Sequence, residues 1–134
     1  MPSPAGRRWP NAEKHVRAWL IAQTGRAVYT ETSDGLTGDP VVYQITRVGG
    51  GDNRAIDKRV HIEVDTIAAK RGDMWDAAAD AQTAMDNLAA NGFEDFYVDD
   101  VEETFAPAIE PYENANLRRA TATYALTIRP IHQQ

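Results

Sequence analysis

The sequence predicts an α+β fold: a single domain in which two helices pack on one face of a four- to five-stranded, largely antiparallel sheet. The first observation is residues 58–68, where β-branched and polar residues alternate with the two-residue period of a strand with one buried face. The second is residues 73–91, where apolar residues recur every three to four positions, as on one face of a helix. The remaining segments extend or cover that unit, in the order helix, strand, strand, strand, helix, strand, strand.

Length and composition favour one ordinary globular domain. The chain has 134 residues, a net charge of −6 and no cysteine. An acidic balance gives no support for general binding to nucleic acid or to an anionic membrane, and the lack of cysteine excludes disulfides and thiolate metal sites. No apolar run approaches the roughly 20 residues that span a bilayer, so we expect no membrane partner.

The chain divides into a flexible N-terminal arm over residues 1–10, a folded domain over residues 11–130 and a short C-terminal tail over residues 131–134. Four prolines and glycines break up the arm, at Pro2, Pro4, Gly6 and Pro10. The first helix is predicted over residues 12–24, with Asn11 as its N-cap and Gly25 as its stop. The remaining strands are predicted at residues 26–31, 41–48, 96–105 and 118–129.

The second helix is predicted to begin at Asp73, an N-cap with Asp76 three residues later, and to stop at Gly92. Its apolar stripe follows Trp75, Ala78, Gln82, Met85 and Leu88 or Ala89. The residues predicted to be buried across the domain are Trp19, Val60, Ile62, Trp75, Met85, Leu88 and Leu126.

A loop between two strands, residues 47–59, carries three consecutive glycines and an excess of basic residues. Ordering a backbone as free as that of three glycines costs conformational entropy, which is of use only if the loop takes its shape on a partner. The basic side chains can pair with carboxylates of that partner, so we expect this loop to dock on a neighbouring protein. The alternative is a loose solvent loop. The candidate partner-binding residues are Arg47, Gly49, Gly50, Gly51, Asp52, Arg54, Lys58 and Arg59.

The strand over residues 96–105 carries four carboxylates, Asp99, Asp100, Glu102 and Glu103. In a strand, Asp99 and Glu103 share one face and Asp100 and Glu102 the other. Acidic side chains on both faces favour an edge strand that is protected from misassembly. A catalytic or metal-binding carboxylate cluster is the less favoured alternative, because no histidine or asparagine stands at ligand spacing.

The search for catalytic chemistry finds no motif. The histidines at positions 15, 61 and 132 lack metal-ligand spacing, and no nucleophile or dinucleotide fingerprint occurs. We therefore expect a protein that is not an enzyme and has no cofactor and no metal.

Several phrases resemble the tail terminator proteins of long-tailed, non-contractile bacteriophages, the lambda-type family, in the versions from phages of actinobacteria. They are PNAEKHVRAWL, VVYQITRVGGGDN, KRVHIEVDT and DMWDAAADAQTAMDNL, and the resemblance spans about residues 10–130. It implies a structural virion protein at the head-proximal end of the tail. Such a protein forms a hexameric ring that caps the tail tube, stops its polymerisation and joins the tail to the head–tail connector or stopper protein.

In such a ring the genome DNA passes through the lumen without specific binding. Like charge prevents tight phosphate contacts. We therefore expect some acidic residues to face the lumen, with solvation of an edge strand as the alternative; the candidates are Glu63, Asp65, Asp99, Asp100, Glu102 and Glu103. Two other functions stay open: another neck or tail-completion protein of the same virion, and a non-viral α+β binding module or enzyme.

Overall fold

The computed structural model describes residues 7–31, 35–49, 58–91 and 96–132. Two helices and seven strands lie within these ranges. The elements are β1 (Arg7–Arg8), α1 (Ala12–Thr24), β2 (Val28–Tyr29), β3 (Val42–Val48), β4 (Lys58–Ala68), α2 (Arg71–Asn91), β5 (Val98–Glu110), β6 (Arg118–Ile128) and β7 (Ile131–His132).

Five strands form the main sheet, in the order β2-β3-β4-β6-β5. Neighbours pair antiparallel except for β2, which runs parallel to β3, so the sheet is mixed. The α+β class and the helices on one face are confirmed. The last predicted strand, β6, lies between β4 and β5 and pairs along its whole length with β4.

The first helix agrees with its predicted bounds. The Asn11 side chain accepts a hydrogen bond from the Lys14 N–H at 3.1 Å, and Gly25 ends the helix in the left-handed conformation with φ of 73°. The second helix begins two residues before the predicted N-cap, at Arg71. Asp73 therefore lies inside the first turn, where its negative charge still favours the positive end of the helix dipole. Gly92 lies outside the described residues.

The core lies between the helices and one face of the sheet. The predicted core residues Trp19, Val60, Ile62, Met85, Leu88 and Leu126 are all buried. Trp75 is the exception, since 40% of its surface is exposed. The predicted stripe of α2 was rotated by about one residue, and the buried positions are Met74, Ala77, Ala78, Ala81, Ala84, Met85 and Leu88.

The acidic edge strand is longer than predicted. β5 continues through Pro107 to Glu110, past the predicted end of the strand at residue 105. Its ladder with β6 shifts register between Glu103 and Phe105 and again between Phe105 and Ala108. Proline lacks an N–H for the ladder and is tolerated at a sheet edge, which is where β5 lies.

Parts of the predicted arm and tail join the fold. Arg7–Arg8 pairs antiparallel with Ile131–His132. Trp9 packs against the main core, and the Lys58 ammonium lies 5.7 Å from the centre of its ring. Residues 1–6, 133 and 134 lie outside the described residues.

Candidate functional surface: the open face of the sheet

The face of the sheet opposite the helices is the candidate functional surface. Val60, Ile62 and Val64 of β4 point into the helix-side core, so alternation turns Arg59, His61, Glu63, Asp65 and Ile67 to the other side. We call this side the open face. Its partners in register are Gln44 and Thr46 of β3, Thr121, Thr123 and Thr127 of β6, and Asp100, Glu102, Phe105 and Glu110 of β5.

One corner of the open face is apolar. Val42, Ile67 and Leu117 form a small buried cluster there, with Leu36 and Tyr112 packed against it. The rest of the open face is polar apart from Phe105, with hydroxyls and carboxylates beside Arg59, His61 and Arg119, and no described helix packs on it. A polar, uncovered sheet face of this kind is suited to contact with water or with another molecule, rather than to a second core layer.

Glu63 and Asp65 lie at the centre of the open face. Asp65 is only 5% exposed, and its carboxylate accepts a hydrogen bond from the Thr121 hydroxyl at 2.7 Å. Burial raises the pKa of Asp65, against the opposing effects of that hydrogen bond and of the Arg119 charge. Burial, and then the nearby charge of Asp65, raise the pKa of Glu63. The two carboxyl groups therefore hold protons to a higher pH than surface acids do.

Arg119 lies beside this pair and counters its charge. Its Nη2 donates to the Pro111 carbonyl at 2.8 Å, and its guanidinium lies 5.3 Å from the centre of the Tyr112 ring. These residues, with Gln44, Asp65, Ile67 and Glu113, line a cavity of about 210 Å³. The guanidinium Nε is buried without a hydrogen-bond partner.

The structure brings one residue of the predicted docking loop against one of the predicted lumen acids. Arg59 Nη2 contacts Glu102 Oε2 at 2.6 Å, across the open face from β4 to β5. Both side chains are partly exposed, so the pair contributes little to stability. Asp100 lies on the same face, opposite Thr127 in register. Four of the six predicted lumen acids therefore share the open face: Glu63, Asp65, Asp100 and Glu102.

The other two acids are directed elsewhere. Glu103 pairs in register with the core residue Tyr124, and its carboxylate accepts a hydrogen bond from Gln82 of α2 at 2.7 Å. Asp99 falls at a register shift, and both its oxygens lie 2.9 Å from Arg129 Nε. Glu102 and Glu103 therefore lie on opposite faces of the sheet, as strand alternation predicted.

The predicted docking loop is described only at its two ends. The Arg47 side chain is exposed, while its backbone N–H donates to the Glu13 carboxylate at 3.0 Å. Gly49 is exposed, Lys58 lies against the Trp9 ring, and Arg59 pairs with Glu102. The remaining candidates, Gly50, Gly51, Asp52 and Arg54, lie outside the described residues.

Sequence reasoning missed several residues of the open face. Arg119, Thr121 and Glu110 join it through the register of β6 with β4 and β5. The alternation of β6 was visible in the sequence, but register between strands depends on pairing that a single sequence does not show. Phe105 was also missed, although a phenylalanine among carboxylates on an edge strand is itself a signal.

Comparison with known proteins gives a likeness of fold. No protein-family model matches the chain, and no curated protein matches it. The fold matches a chain of the solved structure described as "Virion of native gene transfer agent (GTA) particle", with a TM-score of 0.61 and 16% sequence identity. The match covers 88% of this chain and 94% of that chain. At this identity the likeness shows a shared fold.

The described residues offer no site for metal chemistry and no membrane-spanning helix. No group of three or more His, Cys, Asp or Glu side chains among them is arranged to hold a metal ion. No helix in the same ranges is long and apolar enough to cross a bilayer. What the open face presents is a set of carboxylates, hydroxyls and a few basic side chains around Glu63 and the buried Asp65.

Proposed function

We propose that this chain is a structural virion protein that acts as a tail terminator: a hexameric ring that caps the tail tube and stops its polymerisation. The observation that carries the proposal is the fold match to a chain of a virion particle, which covers nearly all of both chains. The sequence phrases that resemble phage tail terminators support the same role. In this role the ring contacts the major tail-tube protein on one side and the head–tail connector or stopper on the other.

The open face is the surface of this chain that suits the lumen of such a ring. Five strands at about 4.8 Å spacing make a sheet roughly 24 Å wide, so six copies side by side enclose a circle roughly 46 Å across at the backbone. That opening is wide enough for a DNA duplex with side chains in place. The exposed carboxylate of Asp100 repels phosphates, and the carboxylate of Glu102 offsets the charge of Arg59, so that DNA slides past without tight contacts.

Of the described cations at the ends of the 47–59 loop, Arg59 lies on the open face, whereas Arg47 lies on the helix side of the sheet. Arg47 lies near the end of β3, beside the N-terminal turn of α1 through its contact with Glu13. Arg47 in that position suits a contact with the tube or the connector, which stack on the ring, rather than with the DNA. Charge pairs at such a rim set register and steer association more than they add affinity.

The test is a native mass measurement of the purified protein, alone and with tail tubes, combined with tube lengths seen by electron microscopy. We expect a six-fold assembly on tube ends and tubes of uniform, capped length. Tubes that continue to grow after saturating addition of the protein would contradict the terminator role. Binding to the connector without binding to tubes would favour another neck protein, and a monomer in every condition would favour a non-viral binding module.

A further inference from the structure

The edge strand β5 presents apolar side chains to solvent. Phe105 is 72% exposed and Ile109 is 42% exposed, in a strand that otherwise carries carboxylates. Strand addition along this edge is opposed by Pro107 and by the register shifts on either side of Phe105. A partner therefore meets this edge through side chains rather than through a continued ladder.

The opposite edge of the same sheet carries a groove. It lies between β2 and α1, has a volume of about 580 Å³, and includes Lys14, Arg17, Tyr29 and Thr30 in its lining. Arg17 Nε donates to the Val28 carbonyl at 2.8 Å, which holds the guanidinium against β2. Tyr29 is 36% exposed beside these cations. The lining also includes the carboxylates of Glu13 and Glu31, the first of which accepts the Arg47 N–H.

We propose that Phe105 of one copy seats in the β2–α1 groove of the next copy, as the side-to-side contact of the ring. This inference rests on the proposed function, because a ring whose lumen is lined by the open face must join its copies at the two sheet edges. The two edges are different surfaces, so the contact is head to tail, and a head-to-tail contact closes into a ring when its rotation allows.

The chemistry of the two edges is complementary. An aromatic ring meets the exposed Tyr29 ring and the cations of Lys14 and Arg17, which attract aromatic faces. An aromatic anchor that packs on an aromatic partner is a common centre of an interface hot spot.

Disulfide trapping tests the contact, because the chain has no cysteine of its own. Ala106→Cys with Thr30→Cys places one thiol beside Phe105 and one in the groove, and leaves Phe105 and Tyr29 intact. Oxidation is expected to give a ladder of covalent multimers that ends at six. The matched control combines Ala106→Cys with Ala22→Cys, an exposed position on α1 outside the groove lining, and is expected to give less than about a tenth of that product.

The outcomes separate this inference from the proposed function. A six-fold assembly by native mass in which both cysteine pairs cross-link equally would overturn the inference and leave the terminator role standing. Absence of any assembly, alone or on tubes, would overturn the terminator role and the inference with it.

A second measurement uses truncation without cross-linking. Phe105→Ala is expected to leave the melting temperature unchanged, because the side chain is mostly exposed, and to weaken assembly at least about tenfold. Tyr97→Ala, which removes another exposed aromatic just before β5, is the control and is expected to leave assembly unchanged. Equal assembly of the two variants would exclude Phe105 as the anchor.

Discussion

Glu63 and Asp65 occupy positions in which a carboxylate charge is costly. Asp65 is almost fully buried, and the Thr121 hydroxyl, the Arg119 charge and a hydrogen bond with Glu63 offset the lost hydration. Glu63 and the nearby Glu110 add negative charge to the same place. Because two carboxyl groups that share a site resist ionising together, one proton remains on the pair to a higher pH than on an isolated acid.

The raised pKa values predict that stability falls as the pH rises. The folded state retains protons that the unfolded state loses above about pH 4, so the contribution of the pair is complete below that pH and is lost through the higher folded pKa values. Glu63→Gln is expected to flatten this dependence and to raise the free energy of unfolding near pH 7 relative to the natural chain.

The measurement is urea unfolding from about pH 3 to about pH 8. The control is Asp76→Asn, which makes the same change of charge at an exposed position of α2, away from the pair. A Glu63→Gln variant whose stability tracks that of the natural chain at every pH would show that the pair does not carry the proton.

Trp75 shows how a small phase error changes a stability expectation. A stripe drawn through Trp75 and one drawn through Met74 differ by one residue, about 100° around the helix, and Ala78 and Met85 fit both. The prediction placed Trp75 in the core because its side chain is the larger, whereas the structure buries Met74 completely. Sequence periodicity thus identified the helix and left its rotation uncertain.

Met85→Ala is expected to cost far more stability than Trp75→Ala. Met85 is fully buried, so its truncation should lower the free energy of unfolding by about 2–5 kcal/mol, the range for large core deletions. Trp75 is 40% exposed, and its truncation should cost about 1–2 kcal/mol from the apolar area that it does bury. Denaturant unfolding of the two variants measures both, and a larger loss for Trp75→Ala would contradict the helix rotation.

At the scale of elements, the length of the edge strand depends on its place in the sheet, and the turn before β3 depends on the backbone conformation of Gly38. Neither can be read from the amino-acid composition. The sequence predicted that β5 would stop before Pro107, because proline usually ends a strand. At the outer edge of the sheet the missing N–H costs no ladder bond, so the strand continues to Glu110. An acidic edge strand was predictable from its charges, while its true length required the sheet order.

Gly38 is the turn position at which a side chain is excluded. Its φ is +73°, and a Cβ there would meet the backbone of Ala68 and Ala69 and the Leu117 side chain, at 2.6 Å from the last. Its carbonyl also accepts the Ala69 N–H at 3.0 Å, which fixes the turn onto the end of β4. Both the left-handed backbone and the close approach therefore require glycine.

Gly38→Ala is expected to destabilise the fold by more than the roughly 1–3 kcal/mol of a left-handed non-glycine residue. The control is Gly35→Ala, since Gly35 has nearly the same φ, +76°, and nothing within 4 Å of an added Cβ. Thermal unfolding of both variants separates backbone strain from steric clash. Equal losses for the two would mean that the turn moves aside without cost.

At the scale of the whole molecule, the sequence was sufficient for the fold and insufficient for the surface. Alternation in β4 and the caps of α1 gave element types and bounds, because those depend on neighbours along the chain. The grouping of Glu63, Asp65 and Arg119 depends on which strands pair and in what register, so it appeared only in the structure. The Arg59–Glu102 contact, between two sets predicted to have separate roles, has the same origin.

The lumen hypothesis predicts that one added cation on the open face affects DNA passage, while the same cation elsewhere does not. Asp100→Lys changes the charge by the same amount as Asp76→Lys, but only the first lies on the open face, and both positions are exposed. In a six-fold ring, Asp100→Lys gives a circle of six cations that pair with phosphates, so genome release from assembled particles should be slowed.

The slowing should be strong at low salt and fade as salt rises, because such contacts weaken by orders of magnitude between about 50 and 200 mM salt. Release kinetics of the two variants at both salt concentrations measure the effect. Equal release would place the open face away from the DNA path, since nothing else distinguishes the two substitutions in charge.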